Sequence, residues 1–337
     1  MKAYVMTGPH EGGIHEVPDA VPSEGQVVVD VHRVGLCGTD VEFWTGEMAY
    51  LHQGISHYPM RLGHEWCGVV SDLGAGVDTA WLGRRVIGDT MIGCGHCYRC
   101  RSGRHHVCED HSELGVRGRF PGALADRLAV PVTALVAVPD TVDDAAGAMV
   151  EPGGNALRSV WGAALSAGDR VLVLGSGTMG LLAAEFARAA GVEVHVMGRS
   201  AETLEFTRGR GYAGTWLRSE LPHLPWDAVI DASTAAELPA LALDLVEPGK
   251  RVVYIGLSGT PSLIDTRTMA LRDITAVGIL GASQALAGTI EQYASGSVDP
   301  RSLIAATVGL DRVGDVLSGW RPEDALGGPK VHIDPRM

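Results

Sequence analysis

A glycine-rich turn between a strand and a helix is the feature that most constrains this chain. The apolar run Arg170–Leu174 is typical of a buried strand, and residues 180–190, rich in Ala and Leu, are typical of a helix. Glycines between them follow the spacing G-x-G-x-x-G, which permits a tight turn, close approach of a pyrophosphate, and close helix–strand packing. We predict a dinucleotide site built from Gly175, Gly177, Thr178, Met179 and Gly180.

The tip of the next predicted strand, Val192–Met197, bears on which dinucleotide binds. It is followed by Gly198, Arg199 and Ser200, with no carboxylate at the position where NAD-binding proteins usually hold the ribose 2′-hydroxyl. An Arg can pair with a 2′-phosphate, whereas an acid would repel it. The tip favours NADP over NAD. The alternative is that Arg199 is a solvated loop residue and that the cofactor is NAD.

The pattern of predicted secondary structure changes twice along the chain. This pattern predicts an α/β protein of two domains. Short β-type runs broken by Gly, Pro and Asp dominate the first 150 residues and suggest an all-β body. From about residue 153 to 281, strands alternate with helical stretches, which predicts a parallel sheet. The last 50 residues add a helix at Thr289–Ala294 and a strand at Lys330–Ile333. We therefore expect a β-rich domain at 1–152 and 285–337, and a cofactor domain at 153–284.

Charge and hydrophobicity exclude several classes of partner. The net charge is −13 and no basic cluster is evident, which argues against nucleic acid and against anionic membrane surfaces. No apolar run approaches the roughly 18–20 residues that span a bilayer, and the first residues lack the order of a signal peptide. We expect a cytoplasmic protein whose partners are small molecules.

Four cysteines crowd into one short segment and predict a structural zinc. Cys94, Cys97, Cys100 and Cys108 follow the spacing C-x2-C-x2-C-x7-C, and four thiolates close a tetrahedral shell around one zinc with no open position. Such a site orders a loop that has no core of its own. Cys67 lies outside every motif and is expected in the core. Four nearby histidines are interpreted as surface residues: His96, His105, His106 and His111.

A second, dispersed set of residues offers ligands for a catalytic metal. Cys37, His64, Glu65 and Glu151 supply one thiolate, one imidazole and two carboxylates. Each residue alone is weak evidence for a metal site, since a lone Cys or a His beside a Glu more often has a structural role. Together they match the three protein ligands and one exchangeable position of a catalytic zinc.

The combined motifs, in this order along essentially the whole chain, resemble the zinc-dependent medium-chain dehydrogenases, and among them the polyol and threonine dehydrogenase branch. The resemblance implies a GroES-like catalytic domain with a zinc lobe at about 93–109, and a Rossmann cofactor domain. It implies two zinc ions per chain and a homodimer or homotetramer. Cys37 and His64 would be zinc ligands, and either Glu65 or Glu151 would ligate directly, exchange, or act through water.

The resemblance also implies the chemistry, which is hydride transfer between an alcohol and NAD(P). Thr39 occupies the position whose hydroxyl accepts the alcohol proton. Family members often carry a relay His five residues after the ligating Cys, where this chain has Glu42, so the proton path beyond Thr39 is open. We expect a polyol, sugar or amino-sugar alcohol as substrate. Candidate pocket residues, each also explicable by ordinary packing, are Trp44, Tyr50, His57 and Phe120.

Three alternatives to this function remain at the sequence level. A zinc-free quinone or enoyl reductase can use the same scaffold, but the presence of Cys37, His64 and Glu151 disfavours it. A non-catalytic dinucleotide sensor would hold only the structural zinc, so the number of zinc ions per chain separates it from an enzyme. A nucleic-acid-binding zinc module is disfavoured by the negative charge.

Overall fold

The computed structural model describes residues 1–337 and divides into two compact units. The first unit comprises Met1–Glu151 and Leu286–Met337, and the second comprises Pro152–Ala285. No helix in either unit is long and apolar enough to cross a bilayer. Each unit is organised around its own sheet.

The first unit is built on a seven-stranded sheet in which nearly all neighbours are antiparallel. Its longest strand, Gln26–Leu36, lies at the centre, and Val27, Val29 and Val34 on it have no exposed surface. In spatial order the sheet runs Ile304–Val308, Lys330–Ile333, Gln26–Leu36, Glu65–Leu73, Arg85–Gly88 and Leu135–Ala137, and Arg127–Pro131 also pairs with the central strand.

Two hairpins and several short helices complete the first unit. The hairpins are Lys2–Gly8 with Glu11–Glu16, and Met91–Ile92 with Ser112–Glu113, the second of which flanks the cysteine segment. The first 150 residues are built mainly of strands, as predicted, but short helices also occur between the strands, so this body is β-rich and not all-β. The α-helices are Gly38–Thr45, Ala49–His52, Tyr98–Arg101, Asp144–Gly147, Leu286–Ala294 and Val313–Leu317.

The second unit is a wholly parallel six-stranded sheet flanked by helices. Numbered along the chain, its strands lie in the order 3-2-1-4-5-6, the doubly wound order that binds dinucleotides where the order reverses, beside strand 1. In chain order the strands are Arg170–Leu174, Glu193–Gly198, Gly214–Leu217, Trp226–Asp231, Val246–Tyr254 and Thr275–Gly278. The helices are Val150–Ala163, which begins just before this unit, Thr178–Ala189, Ala201–Arg208, Leu238–Leu245 and Thr266–Leu271.

Candidate functional site

The glycine-rich turn lies at the carboxyl end of strand 1 of the parallel sheet. Gly175 has φ 116°, and a Cβ there would lie 2.8 Å from the Ala232 oxygen; a Cβ on Gly180 would lie 1.9 Å from the Gly175 oxygen. Both positions require glycine. Gly177 differs, because a Cβ there would meet nothing within 4 Å. It is also the N-cap of Thr178–Ala189 and leaves the first N–H groups of that helix without a side-chain cap, so the cradle fits a diphosphate.

The tip of strand 2 presents an exposed cation. Arg199 is exposed and makes no ion pair, and Ser200 is the N-cap of helix Ala201–Arg208. Gly198 is buried, and a Cβ there would lie 2.6 Å from Leu204 Cδ2 and 2.9 Å from Ser176 Oγ. Packing therefore requires glycine at this tip in addition to any preference for the cofactor.

The four clustered cysteines have the geometry of a tetrahedral metal site. Their sulfurs all lie within 4.8 Å of one another; Cys94 Sγ is 3.9 Å from Cys100 Sγ, and Cys97 Sγ is 3.8 Å from Cys108 Sγ. Sulfurs held tetrahedrally at about 2.3 Å from zinc are about 3.8 Å apart, whereas a disulfide needs about 2.05 Å. All six cysteines of the chain are unpaired. Backbone N–H groups of His96 and Cys97 lower the pKa of Cys94 to about 6, which favours its thiolate.

The histidines beside this lobe are occupied elsewhere. His105 Nε2 lies 2.7 Å from Asp89, and His111 bonds Glu113 at 3.0 Å. The interpretation of all four as surface residues is wrong for His106, which is only 5% exposed. The cysteine segment has no helical or strand periodicity. The sequence therefore did not indicate which of the adjacent residues His105 and His106 is buried.

Three of the dispersed candidates converge in the first unit. Cys37 follows the central strand, and His64 and Glu65 lead into the neighbouring strand Glu65–Leu73, so strand pairing brings them together. Cys37 Sγ is 3.3 Å from His64 Nε2, and the ligand atoms of all three residues lie within 4.8 Å of one another. His64 and Glu65 are buried. The group therefore offers sulfur, imidazole nitrogen and carboxylate oxygen at one point.

The charge around this group suits a divalent cation. Burial opposes protonation of His64, yet the charges of Cys37, Asp40 and Glu151 raise its pKa well above the usual value, which reports a negative potential at the ring. Burial, followed by the charge of Asp40, raises the pKa of the Cys37 thiol. A bound cation would hold this sulfur as thiolate. The donor set and its potential thus fit zinc.

Asp40 is a supporting residue to which the sequence motif assigned no role. It is fully buried, and its Oδ2 accepts a hydrogen bond from the Cys37 N–H at 2.9 Å. Its Oδ1 lies 3.9 Å from His64 Nδ1, and neither of these buried atoms has another partner. The carboxylate thus faces the ring nitrogen that a metal bound at Nε2 would leave free, the usual arrangement behind a metal-ligating histidine.

Lys330 is the residue at this site that sequence reasoning missed. It is 1% exposed; its Nζ donates to Leu36 O at 2.9 Å and lies 2.5 Å from Glu65 Oε2. Burial lowers the pKa of Lys330, but the charges of Glu65 and Cys37 outweigh it and leave the pKa above the usual value. Gly35 makes room for this pair, since a Cβ there would lie 2.2 Å from Glu65 Oε2. The signal was a rare lysine inside the apolar strand Lys330–Ile333.

The remaining candidates lie near the group without completing it. Glu151 is buried and its charge reaches His64, but its carboxylate is not among the ligand atoms that lie within 4.8 Å. Thr39 is half-buried on helix Gly38–Thr45, and its hydroxyl makes no hydrogen bond within the protein. Glu42 is half-buried on the same helix, and burial, then Glu47, raises its pKa. Trp44 and Tyr50 form hydrogen bonds within the protein, Trp44 to Ser318 and Tyr50 to Glu113.

Known proteins share this fold. The alcohol dehydrogenase GroES-like domain family matches residues 23–140, and the zinc-binding dehydrogenase family matches residues 178–295. An L-threonine 3-dehydrogenase of Mesorhizobium japonicum is 30% identical over 347 residues, covering 99% of this chain and 98% of the relative.

Two solved structures are similar over 99% of both chains. One, a short chain alcohol dehydrogenase from E. coli CFT073 in complex with NADH, has a TM-score of 0.90 at 27% identity. The other, a zinc-binding dehydrogenase from Sinorhizobium meliloti 1021 bound to NADP, has a TM-score of 0.88 at 28% identity. Fold and site together define a zinc-binding, nicotinamide-dependent oxidoreductase that acts on CH–OH groups. The chain belongs to the zinc-dependent medium-chain alcohol dehydrogenase family.

Proposed function

We propose that the protein interconverts a secondary alcohol of the polyol, sugar or amino-sugar type and its ketone. The observation that carries this proposal is the convergence of Cys37, His64 and Glu65 in a buried, negatively charged setting. The substrate class rests on the resemblance to the polyol and threonine dehydrogenase branch, and on the threonine dehydrogenase among the relatives.

We further propose that each chain holds two zinc ions. Cys37, His64 and one acidic residue, Glu65 or Glu151, would hold the catalytic ion, and the four clustered cysteines would hold the structural one. The spacing of the sulfurs and the unpaired ring nitrogen facing Asp40 support these two assignments. When bound, the catalytic zinc supplies a Lewis acid that makes the alcohol proton easier to remove.

The protein's own groups position the reactants and handle the proton. Asp40 orients the His64 ring, and Lys330 fixes the Glu65 carboxylate and offsets its charge. The Thr39 hydroxyl, free of internal hydrogen bonds, receives the alcohol proton at Oγ1 and releases its own proton onward. The alcohol carbon would give up a hydride, for which a bound oxidised nicotinamide would be the acceptor. The products are ketone, reduced cofactor and one proton.

The second unit is the proposed cofactor domain, with NADP favoured over NAD. The diphosphate would be held by Gly175, Gly177 and the amides of Thr178, Met179 and Gly180. The 2′-phosphate would contact Arg199 and Ser200, beside Gly198. The exposed, unpaired state of Arg199 supports this choice. The relatives include one bound to NADH and one bound to NADP, so the family alone does not decide.

A homodimer or homotetramer is the proposed assembly. The strand Thr275–Gly278 is an open edge of the parallel sheet, and three of its four residues are exposed. Exposed leucines also occur in the same unit, at positions 257, 263, 271 and 280. Open edges and exposed apolar side chains are surfaces that a second copy can cover. Light scattering of the purified protein tests this assembly.

A cytoplasmic location is proposed because all six cysteines are unpaired.

A substrate screen tests the proposed reaction. The purified holoenzyme is assayed with L-threonine and with polyols, sugars, cyclitols and amino sugars, each with NAD and with NADP. We expect turnover within the polyol or sugar group, with the higher kcat/KM for NADP. Activity confined to quinones or enoyl compounds, or no turnover with any alcohol or its ketone, would refute the proposal.

A further inference from the structure

One cavity of the first unit has three arginine side chains in its wall and no carboxylate. It has a volume of about 370 Å³, and its walls include Arg61, Arg117, Arg119 and the exposed His57. The chain has 40 acidic and 27 basic residues, so composition alone would not produce such a lining. The lining therefore indicates a preference for negatively charged ligands.

Arg61 is the unusual member of this lining. Its Nε is buried without a hydrogen-bond partner, and its guanidinium has no carboxylate within 4.0 Å anywhere in the structure. Burial lowers the pKa of Arg61 to about 10, so the side chain still carries its charge at neutral pH. A charge that is partly removed from water without a counter-ion costs free energy. A bound anion would remove this cost.

The other two arginines differ in how firmly they are held. Arg117 lies 5.5 Å from the Tyr50 ring centroid and 3.9 Å from Glu113, so its position is set by the protein. Arg119 pairs only with Asp110, at 3.4 Å, and both side chains are at least 70% exposed. Such a pair is screened by water and contributes little. Arg119 is therefore available to a ligand in the cavity.

The walls of the cavity are fixed by hydrogen bonds before any ligand arrives. Ser56 Oγ donates to Val116 O at 2.7 Å, which ties the two wall segments together. Gly122 N donates to Arg61 O at 2.8 Å, and Gly115 N to Phe120 O at 2.9 Å. A ligand would not need to order these loops, which lowers the entropic cost of binding.

A second cavity of about 690 Å³ shares Arg61, Arg119 and Phe120 with the first. Its other walls are largely apolar and include Val5 and Met60. Its one carboxylate, Asp19, already bonds the Met1 amino group at 2.8 Å. An organic remainder of a ligand would therefore have apolar surface beside the charged end.

We propose that Arg61 and Arg119 form an oxyanion-binding site that takes a phosphate or carboxylate group. A guanidinium offers these groups two parallel N–H bonds. Arg61 precedes His64 by three residues, so their Cα atoms lie within about 11 Å of each other. The anion is either a free ion or the charged end of the alcohol substrate; the second source rests on the proposed dehydrogenase function.

The first test is binding of inorganic phosphate to the holoenzyme, measured by calorimetry. Arg61→Met keeps an unbranched apolar stem and removes the charged guanidinium. Arg127→Gln is the matched control, because Arg127 is a half-exposed arginine of the same unit, 3.0 Å from Asp30. We expect phosphate binding to weaken at least tenfold in Arg61→Met and to be unchanged in the control. Wild-type protein that binds no phosphate, or an Arg61→Met variant that binds it equally well, would overturn the proposal.

The second test is thermal unfolding of the same variants without phosphate. Because Arg61 is a partly buried charge without a counter-ion, we expect the Tm of Arg61→Met to equal or exceed that of the wild type. We also expect phosphate to raise the Tm of the wild type and not that of the variant. A lower Tm for the variant in the absence of phosphate would show that the protein itself compensates this charge, and would contradict the proposal.

Inhibition kinetics distinguish the two sources of the anion. Phosphate that competes with the alcohol identifies the anion as part of the substrate, whereas non-competitive inhibition identifies a separate small ion. Failure of the dehydrogenase proposal would appear as absence of turnover while phosphate binding persists. Failure of the anion site would appear as equal phosphate binding by wild type and Arg61→Met while turnover persists.

Discussion

Replacing Lys330 by Met tests the buried ion pair that holds Glu65. The side chains of Lys330 and Glu65 are 2% and 3% exposed, and their charged atoms lie 2.5 Å apart. Met fills a similar volume but leaves the carboxylate buried without the lysine cation, and it removes the hydrogen bond that Lys330 donates to the Leu36 oxygen. Removing one member of a buried pair typically costs about 3–5 kcal/mol.

The expected result is a fall in thermal stability of the first unit. At about 2–4 °C per kcal/mol for domains of 150–250 residues, the loss corresponds to roughly 6–20 °C in Tm. Calorimetry measures it on protein treated with a mild chelator, so that no ion bound at Cys37 and His64 replaces the missing cation. The double variant Lys330→Met with Glu65→Gln is the matched control, and it should recover part of the loss because no unpaired charge remains. A single variant within 2 °C of the wild-type Tm, or a double variant less stable than the single, would refute the reasoning.

Four further substitutions separate structure, catalysis, proton transfer and cofactor choice. Cys100→Ser should lower the Tm by weakening a structural metal site. His64→Ala should instead leave the fold largely intact and reduce kcat by at least about 100-fold. Melting and activity assays that give the reverse pattern would show that the two sites are misassigned. Thr39→Val should lower kcat by about 10²–10⁴ with little change in Tm, and unchanged turnover would remove Thr39 from the proton path. Arg199→Ala should lower kcat/KM for NADP by roughly ten- to a hundredfold and leave NAD nearly unchanged; equal effects on both cofactors would contradict the 2′-phosphate assignment.

The parts of the fold that sequence predicted well are those with a strong local pattern. Strands Arg170–Leu174 and Lys330–Ile333 are confirmed residue for residue, because each is a compact run between clear turn signals. Gly175 and Gly180 are confirmed as obligatory glycines by the backbone atoms that a Cβ would meet. Cys67 is confirmed as a core residue with no exposed surface.

The parts that sequence did not predict depend on contacts between distant residues. Lys330 and Glu65 are 265 positions apart, and only the pairing of both their strands with Gln26–Leu36 brings them together. The same holds for Asp40, since its neighbour His64 lies in a distant segment of the chain, just before the strand Glu65–Leu73. The sequence did not single out Arg61, because the absence of a carboxylate beside its guanidinium can be seen only once the surrounding loops are placed. Composition and spacing carry no information about such pairings.

The number of zinc ions per chain tests the central claim most directly. Elemental analysis of purified wild-type protein should give two zinc ions per chain, and Cys37→Ala should give one, with the cysteine lobe still loaded and turnover lost. Mild chelation should remove the same ion first, because only that site keeps an exchangeable position. One zinc per wild-type chain with full turnover, or normal turnover in Cys37→Ala, would contradict the account.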